Sequence, residues 1–195
     1  MSIAAYFQQI YQQADPFRYR SRWYEERKRA LTLACLPRRR YAHAWELGCS
    51  NGVLTAELAT RCDALLGTDI SGDAVAQAAL STRDCPQVVL QRATHPQDWP
   101  EGVFDLIVVS EVGYYLDAGA LALLGQKLRS SLADGGLLLA CHWIHPFDEV
   151  RSSAYAVHQA LRADLPEVFS YHDDDFHLEG WSTSTTSVAE REGLR

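Results

Sequence analysis

The strongest constraint on this chain lies between Tyr41 and Asp69. An apolar run ends in Trp45-Glu46-Leu47-Gly48-Cys49-Ser50-Asn51-Gly52, an amphipathic stretch follows, and Asp69 closes the next apolar run. An acid at a strand end, a glycine turn into a helix, and a second acid about twenty residues after the first glycine belong to the carboxyl edge of an open α/β sheet. A nucleoside suits that edge, because the backbone approaches closely at the turn and a carboxylate accepts from both ribose hydroxyls. Gly48 and Gly52 also suit a plain tight turn, with Asp69 capping the next helix. The joint spacing favours the ligand.

The rest of the pattern extends the same unit. Residues 2–14 and 20–35 have helical character and are interrupted by Ala14-Asp15-Pro16. In the second segment Trp23, Arg27, Ala30 and Leu31 share one face at helical spacing. Strands are expected at Tyr41–Leu47, 64–69, 87–91, Phe104–Ser110 and 137–141, alternating with helices at 52–61, Gly72–Ser81 (opened by Ser71) and 118–132. Asp134-Gly135-Gly136 ends the last of these helices. The near-continuous apolar run at Phe104–Ser110 suits a parallel strand buried on both faces. Such alternation predicts a mainly parallel, doubly wound sheet with helices on both faces. Beyond Trp143 a helix at 154–163 and a hairpin of 167–171 with 176–183 are expected at the sheet edge. The last dozen residues read as frayed.

With 195 residues, 47% apolar and 22% charged, the chain is expected to form a single domain over 1–195. Its parts are an N-terminal helical cap (1–40), a core (41–145) and a C-terminal segment (146–195). No apolar run reaches a transmembrane length and the N-terminus lacks signal-peptide character, so the expectation is a cytoplasmic protein without a membrane partner. The five scattered cysteines have no metal-ligand spacing and read as small buried apolar residues; no metal is expected. The net charge of −7 argues against a nucleic-acid partner. Nine of the 18 basic residues nevertheless fall within positions 18–40, either as a solvated face or as an anion-facing cap.

The turn differs from the dinucleotide fingerprint, since only its first and last glycines are present and Glu46 precedes them. It resembles instead the first motif of class I S-adenosylmethionine methyltransferases, with Ser50 at the middle glycine. Ser50 at a helix N-terminus brings a hydroxyl and an N–H toward the ligand. The likeness extends to Trp23-Tyr24-Glu25-Glu26-Arg27-Lys28, to Phe104-Asp105-Leu106-Ile107-Val108-Val109-Ser110-Glu111-Val112-Gly113-Tyr114-Tyr115-Leu116 and to His142-Trp143. Over roughly residues 15–145 the chain resembles the nodulation protein S family, methyltransferases that N-methylate an amino sugar at the end of a chitooligosaccharide.

That resemblance implies a Rossmann-like class I methyltransferase fold of about seven strands, S-adenosylmethionine as cofactor and S-adenosylhomocysteine as product. It implies that Trp23 and Arg27 close over the methionine portion, with Arg27 meeting its carboxylate. Glu46, Gly48, Cys49, Ser50, Gly52, Asp69 and Ile70 form the turn and ribose side, Thr94 and His95 flank adenine, and Ser110 belongs to the floor. Gly113 stands where a bulkier residue is common, which is expected to widen the acceptor pocket.

An amine acceptor must be unprotonated when it attacks, so a carboxylate or imidazole near the methyl group is useful. Glu111, at the end of the fourth strand, is the first candidate base; Tyr114 is a candidate to frame the acceptor, and His142 a second base. The favoured reading is N-methylation of an amino sugar or related amine by a protein expected to be monomeric. The alternatives are O-methylation of a carboxylate, hydroxyl or phosphonate, and a non-catalytic module that only binds the cofactor. A nicotinamide oxidoreductase ranks last.

Overall fold

The computed structural model describes residues 2–195. Two cap helices, α1 (Ile3–Ile10) and α2 (Trp23–Ala34), precede an alternating core. The core runs β1 (Tyr41–Leu47), α3 (Val53–Ala59), β2 (Cys62–Asp69), α4 (Gly72–Ser81), β3 (Val88–Arg92) and β4 (Phe104–Ser110). A 3-10 turn at Gly113–Tyr115 leads to α5 (Ala118–Ser131), β5 (Leu132–Trp143) and α6 (Ala154–Arg162). The hairpin β6 (Glu167–His172) and β7 (Phe176–Ser182) comes next, followed by α7 (Val188–Arg191).

The seven strands lie in the order β3-β2-β1-β4-β5-β7-β6. The first five are parallel, and β7 joins β5 antiparallel through pairs from Leu137–Ser182 to Trp143–Phe176. Alternate residues of each strand serve opposite faces. Ile107 and Val109 pack with Leu121, Leu124, Val157 and Leu161 of α5 and α6. Leu106 and Val108 pack with Leu58 and Ala59 of α3. The strand order reverses between the parallel neighbours β1 and β4, so the crevice for a ligand opens above their carboxyl ends.

The helix starts follow their side chains. Ser71 accepts from the Ala74 N–H, Asp117 from Ala120 and Ser153 from Ala156, each satisfying an otherwise orphaned donor. Three expectations are corrected. Asp134-Gly135-Gly136 does not simply end a helix: Leu132 already pairs with Phe104, so β5 begins there and the diglycine forms an irregularity within it. The cap helices are shorter than the segments read as helical, since residues 11–22 are occupied by turns. The C-terminal end carries a short helix, closed by a capping box of Ser187 and Glu190.

Gly52 shows why the turn needs its second glycine. It sits at φ +77°, and a Cβ there would lie 2.7 Å from the Ala78 Cα of α4. Its role is to bring α3 against α4. Gly52→Ala is expected to lose about 2 kcal/mol or more in urea unfolding, because left-handed strain and the backbone clash add. An unchanged midpoint would mean that the two helices separate freely.

Candidate functional site

A cleft of about 850 Å³ opens above the carboxyl ends of β1, β2 and β4 and beneath the cap. At one end lies the turn after β1. Gly48, at φ +72°, has no room for a side chain, since a Cβ would meet Val112 Cγ2 at 2.2 Å. Ser50 also has positive φ, and its N–H donates to Asp69 Oδ2 at 3.0 Å. The Ser71 N–H donates to Asp69 Oδ1 at 2.9 Å. These donors fix the carboxylate at the cleft wall, where it is 7% exposed. Burial pushes its pKa up to about 6, restrained by the backbone N–H groups.

Ile70, Thr94, His95 and Ser110 line the same end. Thr94 donates its N–H to Asp98 Oδ2 at 2.7 Å. Both His95 ring nitrogens are engaged, with Thr68 Oγ1 at 2.9 Å and the Asp98 carbonyl at 2.8 Å. His95 therefore offers its ring face and edge, and Thr94 its side chain, to whatever lies in the cleft. The cap closes this end: Tyr11 donates its hydroxyl proton to Ser50 Oγ at 2.6 Å, and Gln77 Nε2 donates to the Tyr11 carbonyl at 2.8 Å.

The opposite end is acidic and aromatic. Lys28 of α2 is buried, with Nζ 2.6 Å from Glu111 Oε1 and 3.0 Å from Glu25 Oε2. Burial opposes its charge, but the two carboxylates outweigh that and hold the ammonium above its ordinary range. Glu111 Oε2 accepts from the Tyr114 hydroxyl and from the Trp143 N–H at 3.0 Å. Burial raises the Glu25 pKa against the pull of Lys28. Tyr19, Tyr24, Tyr115 and Trp143 complete this wall.

A scan of families matches a model described as nodulation protein S over residues 5–135, more than half of the sequence. The chain belongs to the nodulation protein S family. It is 32% identical over 127 residues to nodulation protein S of Rhizobium tropici, covering 64% of this chain and 53% of that protein. The counterpart from Sinorhizobium fredii is likewise 32% identical, over 63% of this chain and 57% of its own length. The chain thus spans about half the length of these curated relatives. A Pseudomonas syringae structure described as a methyltransferase is 48% identical, with TM-score 0.74, covering 83% of this chain and 99% of that one. The N-methyltransferase nodulation protein S of Bradyrhizobium japonicum WM9, solved with S-adenosyl-L-homocysteine, is 23% identical at TM-score 0.84, over 93% and 98% of the two chains. At that identity it establishes the fold, the seven-stranded class I methyltransferase sheet with antiparallel β7.

Within this nodulation protein S family member, the cleft gathers Gly48, Ser50, Asp69, Ile70, Thr94, His95, Ser110, Glu111 and Tyr114 from the residues singled out in the sequence. Others lie elsewhere. Trp23 is 70% exposed and faces outward. Arg27 is held 2.8 Å from Asp173 and also donates to the Tyr171 hydroxyl, so it does not border the cleft. The inward face of α2 carries Tyr24, Glu25, Lys28 and Thr32 instead, one position round from the face read in the sequence. Its buried polar members obscure the apolar periodicity. Cys49 is buried against Gly67, and Gly113 faces Val157 and His142, so its missing side chain serves packing on α6 and does not widen the pocket.

His142 is fully buried behind the wall; it does not reach the cleft, and burial beside His158 lowers its pKa well below the usual value. Glu111 has partners on both oxygens, which makes it a fixed element of the wall. Of the nine clustered basic residues, six meet acids of the chain: Arg27, Lys28, Arg29, Arg38, Arg39 and Arg40. Arg22 remains at the cleft. Tyr11, Tyr19, Glu25 and Lys28 were missed as site residues, because their participation depends on how the cap folds back.

Glu46 lies under the turn, 1% exposed, with Oε2 lacking any hydrogen-bond partner among the described residues. Burial pushes its pKa up to about 8. Since this exceeds the ordinary value of about 4.3, the stability it leaves is complete below that value and declines as pH rises through the folded value. Glu46→Gln is therefore expected to melt above the wild type at pH above about 8 and near it in mild acid. A variant that melts lower throughout would give the ionised carboxylate a structural role.

Proposed function

We propose that this chain transfers a methyl group from S-adenosylmethionine to the nitrogen of a small amine, an amino sugar or a related compound. The observation that carries this reading is one cleft with Asp69 and the Gly48 turn at one end and the Glu25–Lys28–Glu111 wall at the other. The residues fit the cofactor: Asp69 presents a carboxylate suited to ribose hydroxyls, the backbone from Gly48 to Ser50 lies beside it, and Ile70, Thr94 and His95 bound the adjoining space. Arg22 takes the place expected for Arg27 as the cation at the cleft. When bound, the cofactor supplies a methyl group activated on a sulfonium, so the protein contributes mainly proximity and orientation.

At the acceptor end the acidic wall favours a cationic amine. Among the described residues Glu25 Oε1 takes no hydrogen bond, and its raised pKa suits it to accept the ammonium proton that must leave before attack. Glu111 and Tyr114 hold the wall in place, while Tyr19, Tyr24 and Trp143 limit water. Arg22 and Arg151 also border the cleft, and they favour the second reading, O-methylation of an anionic acceptor. The proposed setting is a cytoplasmic monomer without a nucleic-acid partner; among the described residues no helix is long and apolar enough to cross a membrane.

Calorimetry with S-adenosylhomocysteine and with NAD, followed by mass spectrometry of amine, hydroxyl and carboxylate acceptors, tests the proposal. Binding of S-adenosylhomocysteine and N-methylated product are expected. Product methylated only on oxygen would select the second reading. Binding without turnover on any acceptor would favour the non-catalytic module, and preference for NAD would overturn all three.

A further inference from the structure

Behind the acceptor wall runs a buried line of side chains that the proposed chemistry does not use. The Gly113 N–H donates to His142 Nε2 at 3.1 Å, and His142 Nδ1 lies 3.0 Å from His158 Nε2. His158 Nδ1 lies 2.5 Å from Glu179 Oε2, and Glu179 Oε1 lies 3.0 Å from His172 Nε2 near the surface. His142 is 0% exposed and His158 2%.

We infer that His142, His158 and Glu179 are positioning residues, a tautomer lock that keeps His142 Nε2 an acceptor and so pins the Gly113–Tyr115 turn that carries the acceptor wall. The inference rests on the proposed acceptor pocket, but its geometry is independent of the reaction. A carboxylate only accepts, so His158 must donate from Nδ1, which leaves its Nε2 as an acceptor in the neutral ring. His142 must then donate from Nδ1. Its Nε2 lone pair is left to the Gly113 N–H, and no other arrangement of neutral rings satisfies all three contacts.

Gly113 leads directly into Tyr114, whose hydroxyl donates to Glu111. A Cβ at Gly113 would lie 2.3 Å from Val157 Cγ1 and 3.3 Å from His142 Nε2, so the turn is clamped between α6 and β5. The Tyr114 ring meets the His142 ring edge-on at 5.3 Å. Motion at His142 is thereby transmitted to the hydroxyl that orients Glu111.

The lock fails when the histidine pair gains a proton. A protonated His142 turns an Nε2–H toward the Gly113 N–H. A protonated His158 donates from both nitrogens, so His142 must accept at Nδ1 and carry its own proton on Nε2, with the same result. At His142 burial opposes this first, and the neighbouring charges add to it. Lys28 from α2, His158 from α6 and His177 from β7 disfavour a cation at His142. Burial works against the Glu179 charge, but His158 and His172 from β6 hold its carboxyl down to about 2. Glu111 is tied to Lys28 on the cleft side.

Imidazole nitrogen NMR of the ligand-free protein, with hydrogen exchange at the Gly113 amide, tests the lock without any turnover. At neutral pH both rings are expected as Nδ1–H tautomers and the Gly113 amide as protected. Protection should be lost in His142→Leu and largely restored in His142→Gln, whose amide oxygen can accept; melting curves establish that both variants fold. At saturating cofactor, which removes the Asp69 ionisation from view, kcat of His142→Leu should fall about tenfold or more with S-adenosylhomocysteine affinity kept. Glu179→Gln keeps an acceptor for His158 Nδ1, so Gly113 protection should be retained in it. His142 found as the Nε2–H tautomer, or Gly113 exchange indifferent to His142→Leu, would overturn the inference. A wild type that forms no S-adenosylhomocysteine would instead sink the proposed activity and leave the exchange result standing.

Discussion

Lys28→Ala is expected to destabilise the protein by about 3–5 kcal/mol, the scale for removing one partner from a buried ionic cluster. For a chain of this length that corresponds to a fall in melting temperature of roughly 6–20 °C. The loss exceeds that of a surface pair because Lys28 Nζ sits between Glu25 and Glu111, at 3.0 and 2.6 Å, with little access to water. Without it two carboxylates face each other uncompensated, and Tyr24 loses the cation 5.0 Å from its ring. Glu25, already raised by burial, rises further. A carboxylate whose folded value exceeds its unfolded value leaves stability that is whole in acid and lost as pH rises through that folded value. The variant should therefore be least stable above neutrality, and adding Glu111→Gln should recover part of the loss. Denaturant unfolding at several pH values measures this. A loss below about 1 kcal/mol, typical of exposed pairs, would show that water reaches the cluster freely.

Asp69→Ala should weaken S-adenosylhomocysteine binding by about 1–3 kcal/mol, a factor of roughly 5 to 150. The carboxylate would no longer receive ribose hydroxyls, and the Ser50 and Ser71 N–H groups that now orient it would lose their acceptor. The wild type carries an internal control. Burial sets the Asp69 pKa at about 6. Ligand binding requires the ionised form, so affinity should fall as pH drops below that value. The stability contribution runs the other way, complete below the unfolded value of about 3.9 and lost as pH rises through about 6. Calorimetric affinity and melting temperature followed across this window should therefore move in opposite directions. Affinity unchanged in Asp69→Ala would remove the residue from the ribose role.

Much of the sheet was legible because strand and helix periods are local. Tyr41–Leu47, Phe104–Ser110 and Gly72–Ser81 were delimited by apolar runs and by the cap at Ser71, all properties of neighbouring residues. The β5 start was not, since Leu132 becomes a strand residue by pairing with Phe104 across the sheet. The end of the cleft proposed for the cofactor was equally readable: Gly48, Ser50 and Asp69 belong to one βαβ unit, and their spacing alone brings them together. On the cap, the buried face of α2 carries Glu25, Lys28 and Thr32. A charged residue buried by its partners has no hydropathy signature, so the outward Trp23 face looked apolar and the inward one polar.

The sequence by itself determined the order of strands and helices, the glycine turn and the acid that faces it, because each follows from contacts a few residues apart or within a single crossover. Only the tertiary structure decided what the charged and polar residues do. It tied Arg27 to Asp173, set Lys28 between Glu25 and Glu111, buried Glu46 under the turn, and aligned His142, His158 and Glu179 from three elements. Their roles depend on partners up to 146 positions away and on the loss of water around them, and both arise only when the chain has packed.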